Sequence, residues 1–169
     1  MNARYHLLIV DENPYVVNIL VETLSKDFKI TVANSGQEAA RLLIQGNRFD
    51  CVLTELDLTF FNGLELTKLI RMSRLASQTP VVILSNVSDS ATRIQCLEQG
   101  VDAFLSKPFN PLEVKAKLHA LLRRIELPIE EIHRQLMPLT TDTGTKSFWQ
   151  QKSRLLSMLF GNYPLSQSA

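Results

Sequence analysis

Short apolar runs alternate with segments of helical spacing five times between residue 5 and about residue 124. Parallel strands cannot be joined by a tight turn; they need a long crossover, usually a helix. A sheet built that way is covered on both faces, so its strands read as almost continuous apolar runs. The runs here are Tyr5 to Val10, Phe28 to Ala33, Cys51 to Glu55, Val81 to Ser85 and Asp102 to Ser106. The third and fourth suit the centre of the sheet. The predicted class is α/β, a doubly wound five-stranded parallel sheet with right-handed crossovers.

The helical segments carry their own stop and start signals. Pro14 opens the first, where its missing N–H costs nothing, and Val17, Leu20, Val21 and Leu24 repeat at helical spacing. Ser35 and Glu38 have the spacing of a capping box for a second helix through Ile44, which Gly46 and Asn47 stop. A third helix is predicted from Leu64 to Met72. Asp89 or Ser90 can cap a fourth, which Gly100 ends, and Pro108 and Pro111 lead into a fifth reaching about Arg124.

Polar residues cluster at the strand ends. Asp11-Glu12 follow the first run, Glu55 closes the third, Ser85 ends the fourth, and Lys107-Pro108 follow the fifth. In an open α/β sheet, ligands and chemistry gather at the carboxyl ends of the strands, where the strand order reverses. Acid pair, acid, hydroxyl and ammonium therefore make one pocket. Its carboxylates repel one another, so Lys107 or another cation must offset them.

Four segments carry a resemblance to the receiver domain of bacterial two-component response regulators. They are Leu8-Ile9-Val10-Asp11-Glu12-Asn13, Asn62-Gly63-Leu64-Glu65-Leu66, Pro80-Val81-Val82-Ile83-Leu84-Ser85 and Phe104-Leu105-Ser106-Lys107-Pro108-Phe109. The resemblance covers residues 5 to about 124 and implies the strand order 2-1-3-4-5. It implies a signalling module read through protein contacts, with a kinase or downstream effector as partner, and no enzyme activity on an outside substrate. Asp11 and Glu12 fall on the acid pair that holds Mg2+, a hard cation suited to oxygen ligands. Ser85 and Phe104 fall on the switch residues, and Lys107 on the lysine that pairs with the acceptor. Glu55 falls on the phosphoacceptor aspartate. The surface of the fourth helix, fifth strand and fifth helix, roughly residues 89 to 124, is where the family is often read.

The chain departs from the pattern at Glu55, Glu12, Thr59-Phe60 and Phe104. The extra methylene of Glu55 carries its carboxylate roughly 1.5 Å further along. Phosphoryl transfer is mostly positioning and electrostatics, so such a shift is damaging. Glu12 is longer than the Asp often found there. Thr59-Phe60 replace a common Pro-Gly turn, and Phe104 lacks a hydroxyl. The leading reading is a phosphorylation-independent receiver in which Glu55 reaches toward Lys107 and Ser85. An active-like state and a relic pocket both stay open. The alternative is a working acceptor that uses Mg2+ and is phosphorylated on Glu55 or Asp57. An unrelated flavodoxin-like binder would need a Gly-rich loop after the first strand, where Pro14 and Tyr15 stand instead.

Composition bounds the rest. The chain has 169 residues with a net charge of +1, so no global field points to nucleic acid or to a membrane. Cys51 and Cys96 sit in apolar segments and read as buried free thiols. His6, His119 and His133 show no ligand spacing. There is no long apolar span or leader pattern, and a cytoplasmic location is expected. Residues 1–124 are expected to form the receiver domain and 125–169 a helical extension. That extension carries a short helix from Pro128 to Met137 and an apolar one from Ser147 to Phe160. Neither helix resembles a helix-turn-helix. A partner or homodimer contact is the expected use of the apolar one.

Overall fold

The computed structural model describes residues 5–126, apart from Leu75 and Ser88. These belong to a compact unit, Met1–Leu127. Five strands and five helices alternate: β1 (Tyr5–Val10), α1 (Pro14–Leu24), β2 (Phe28–Ala33), α2 (Gly36–Ile44), β3 (Cys51–Glu55), α3 (Gly63–Met72), β4 (Val81–Ser85), α4 (Ser90–Glu98), β5 (Ala103–Ser106) and α5 (Pro111–Glu126). The sheet is wholly parallel, in the order β2-β1-β3-β4-β5. This is the expected fold and strand order.

Side chains alternate across a strand, so neighbouring residues serve opposite faces. Leu7, Ile9 and Leu53 join Leu20, Leu24 and Leu118 on one face, under α1 and α5. Leu8, Val10 and Val52 join Leu66 and Ile70 on the other, under α2 and α3. Ile83, Cys96 and Val101 continue that second face under α4. Every residue of β3 and β4 is buried, as central strands require. Each fully buried leucine or isoleucine contributes about 2 kcal/mol relative to exposure.

The helix ends use the caps available. Asn13 caps α1 through its side chain, with Pro14 as the first helical residue. Asp89, not Ser90, caps α4. At α2 the predicted box is half-formed. Ser35 Oγ accepts the Glu38 amide at 3.1 Å, but the Glu38 carboxylate accepts the Asn34 amide at 2.9 Å. A complete box stands at α3, from Asn62 and Glu65.

At the amino edge of the sheet, Arg71 joins α3 to its surroundings. Its guanidinium donates to the carbonyls of Ser77, Thr79 and Gly100, and to the Asp102 carboxylate at 2.6 Å. Asp102 also accepts the Val81 amide at 2.7 Å, so one ion pair anchors the starts of β4 and β5. His6 and His119 have structural contacts. His6 Nε2 lies 2.8 Å from Thr31 Oγ1, and the His119 ring packs 5.2 Å from Phe28. Cys51 and Cys96 are buried and free. His133 and the helices expected in 125–169 lie outside the described residues, apart from the end of α5.

Candidate functional site

The chain runs outward from β1 to β2 on one side and through β3, β4 and β5 on the other, so the order reverses between β1 and β3. Asp11 follows β1 and Glu55 ends β3, and both are buried. Lys107 follows β5, where its amide donates to the Ser85 carbonyl at 2.7 Å. The peptide bond from Lys107 to Pro108 is cis. From there the Lys107 ammonium donates to Asp11 Oδ2 at 2.9 Å and to Glu55 Oε2. The three residues that the sequence placed at three strand ends thus meet.

Each carboxylate also has backbone partners. Glu55 Oε1 accepts the Leu56 amide at 2.8 Å and the Asp57 amide at 3.3 Å. Asp11 Oδ1 accepts the Asn13 amide at 2.8 Å. Glu55 therefore curls onto its own loop and onto Lys107. The Ser85 hydroxyl, fully buried, accepts the Val87 amide at 3.1 Å, so among the described residues it is not Glu55's partner as expected. Asp57 is exposed. Burial by itself would lower the Lys107 ammonium, but hydrogen bonds and charge from Glu55 and Asp11 outweigh it and hold it above the ordinary lysine range.

Glu12 points elsewhere. Its Oε1 accepts the Thr59 amide at 2.7 Å and its Oε2 accepts the Thr59 hydroxyl at 2.8 Å. Phe60, next in the loop, holds a left-handed φ of 64° and is 87% exposed. Phe104 is half-buried, with the Arg93 guanidinium 5.7 Å from its ring centroid.

A Mg2+ site needs carboxylates converging with near-octahedral geometry. Among the described residues no group of three or more acidic, histidine or cysteine side chains is arranged to hold a metal. Lys107 stands between Asp11 and Glu55, and Glu12 is turned to Thr59. As arranged, the donor set does not fit the ion expected of the Asp11–Glu12 pair. Neither the Thr59 grip on Glu12 nor Arg93 over Phe104 was foreseen. The only trace in the sequence was the pair of unusual residues at 12 and 59.

Among the described residues no helix is long and apolar enough to cross a membrane. The family model for the response regulator receiver domain matches residues 7–119. The transcriptional regulatory protein SrrA of Staphylococcus aureus is 33% identical over 121 residues, which is 71% of this chain and 48% of that protein. The chain therefore spans about half the length of the curated relatives it matches. The receiver domain of Francisella response regulator 1452 aligns with a TM-score of 0.67 at 27% identity, over 73% of this chain and 100% of that one. The receiver domain of sensor histidine kinase PA1611 from Pseudomonas aeruginosa, with a magnesium ion coordinated in its active site cleft, aligns with a TM-score of 0.62. It is 25% identical over 72% of this chain and 99% of that one.

Proposed function

The chain belongs to the response regulator receiver family, and we propose that it is a receiver whose state is set by Glu55 without phosphorylation. The observation that carries this reading is the engagement of both Glu55 oxygens. One is met by Lys107 and the other by the Leu56 and Asp57 amides. An acceptor must offer a free oxygen in line with the donor phosphorus, and geometry dominates that step. Glu55 supplies about one negative charge where a phosphoryl group brings nearly two, so any mimicry is partial.

Output then passes through protein contacts, with no catalysed reaction on an outside substrate. Ile94 and Leu97 on α4 and Leu112 on α5 are 53%, 52% and 66% exposed. With Phe104 between them on β5, they suit a kinase or effector surface better than a nucleic acid or a membrane. We take residues 1–124 as the receiver, 125–169 as a further contact segment with homodimerisation one use, and the cytoplasm as the compartment.

The test is the intact mass of the full chain after incubation with MgCl2 and acetyl phosphate. No adduct is expected for the natural chain, while the double variant Glu12→Asp/Glu55→Asp, with the shorter acid at both positions, gains a fraction one phosphoryl group heavier. A stable adduct on the natural chain would instead support the second reading, in which Glu55 or Asp57 accepts with Mg2+. The magnesium of the Pseudomonas receiver is what keeps that reading in play.

A further inference from the structure

Glu12 and Thr59 look like two separate oddities in the sequence, yet in the structure they form one device. Thr59 offers two donors, its backbone N–H and its hydroxyl, and they meet the two oxygens of a single carboxylate at 2.7 and 2.8 Å. Charge-assisted bonds of this kind are direction-specific, and here both residues are exposed, so the hold competes with water. The ends they join are well held. On one side, Asp11 Oδ1 accepts the Asn13 amide, which sets the path of the chain across residue 12. On the other, the loop closes on itself through Phe61 N–H to the Thr59 carbonyl at 2.8 Å and Gly63 N–H to the Leu56 carbonyl at 2.9 Å. An aspartate at 12, one methylene shorter, would fall short of Thr59.

We propose that Thr59 latches Glu12 out of the pocket and so closes it to divalent cations. This inference rests on the receiver reading of the pocket, but it concerns Mg2+ binding and not the acceptor. Lys107, donating to both Asp11 and Glu55, supplies the positive charge that a metal would otherwise bring. A cation entering beside it would meet like charge, one carboxylate short. Thr59 is a specificity-determining residue in this scheme, since it removes a ligand without itself touching the ion.

The experiment is isothermal titration of the full chain with MgCl2, for the natural sequence, Glu12→Asp and Thr59→Ala. Circular dichroism confirms that each is folded. The natural chain is expected to give no saturable heat in the millimolar range. Glu12→Asp, which cannot reach the latch, should bind at least about tenfold more tightly. Thr59→Ala keeps only the backbone donor, so it should bind measurably but more weakly than Glu12→Asp. Binding by the natural chain within tenfold of Glu12→Asp would overturn the latch. So would a gain by Glu12→Asp with none by Thr59→Ala, because side-chain length alone would then explain it. Failure of both variants to bind would overturn it as well. No phosphodonor is present, so such a failure leaves the reading of Glu55 untouched.

Discussion

Lys107 carries the pocket's charge balance. Its side chain is 12% exposed, against 4% for Asp11 and 8% for Glu55, so water does little to screen the three. Removing one member of a buried ion pair leaves the others uncompensated, at a cost of several kcal/mol. Lys107→Met is therefore expected to lower unfolding stability by about 3 kcal/mol at neutral pH, read from urea midpoints. The pH dependence has a definite sign. The ammonium titrates above its ordinary value in the folded chain, so its contribution is fully present below about pH 10.4. It is lost as pH rises through the higher folded value. The gap between the natural chain and Lys107→Met should hold steady from pH 7 to about 9.5 and narrow in more alkaline buffer. A gap that closes near neutrality would place the stabilisation elsewhere.

Helix α3 shows how local signals and tertiary demands combine. Asn62 accepts the amides of Leu64 and Glu65, and the Glu65 carboxylate returns to the Asn62 amide at 2.8 Å. Gly63 then packs so tightly that an added Cβ would lie 2.3 Å from the Glu55 carbonyl oxygen. Asn62→Ala is expected to cost about 1 kcal/mol of stability. Gly63→Ala should cost more, because backbone at the end of β3 would have to shift; thermal or urea melts rank the two. Strand and helix placement was legible because apolar period and Pro or Gly punctuation are written locally. β1, β2, β3 and α2 fall where the sequence puts them, and β5 starts one residue later, at Ala103. The box at Ser35 reads well but forms only in part, since Glu38 finds the Asn34 amide instead. In the pocket, the meeting of Asp11, Glu55 and Lys107 followed from strand ends. The partners of Ser85, Glu12 and Phe104 did not: Ser85 and Glu12 meet the loop residues Val87 and Thr59, and Phe104 meets Arg93 on α4, and no local period encodes those meetings.

A single five-stranded sheet is expected to open as one unit, and Cys51 is placed to report on that opening. It lies at the start of the central strand β3 with no exposed surface. Burial pushes its thiol up to about 12, with Asp102 and Asp50 adding to the shift. Thiolate is the reactive form, so a folded chain presents almost none at pH 8. In a Cys96→Ser background, Cys51 is expected to react with an aromatic disulfide reagent only at the rate of global unfolding, rising in step with urea. Fast labelling without denaturant would mean that β3 opens locally. The Glu55–Lys107 pair has one more consequence, for time. An acyl phosphate carries its own clock, because it hydrolyses and the signal ends. A side-chain carboxylate has no such decay. If Glu55 holds the state, the duration of the message becomes the lifetime of the polypeptide, and synthesis and degradation take over the work of kinase and phosphatase.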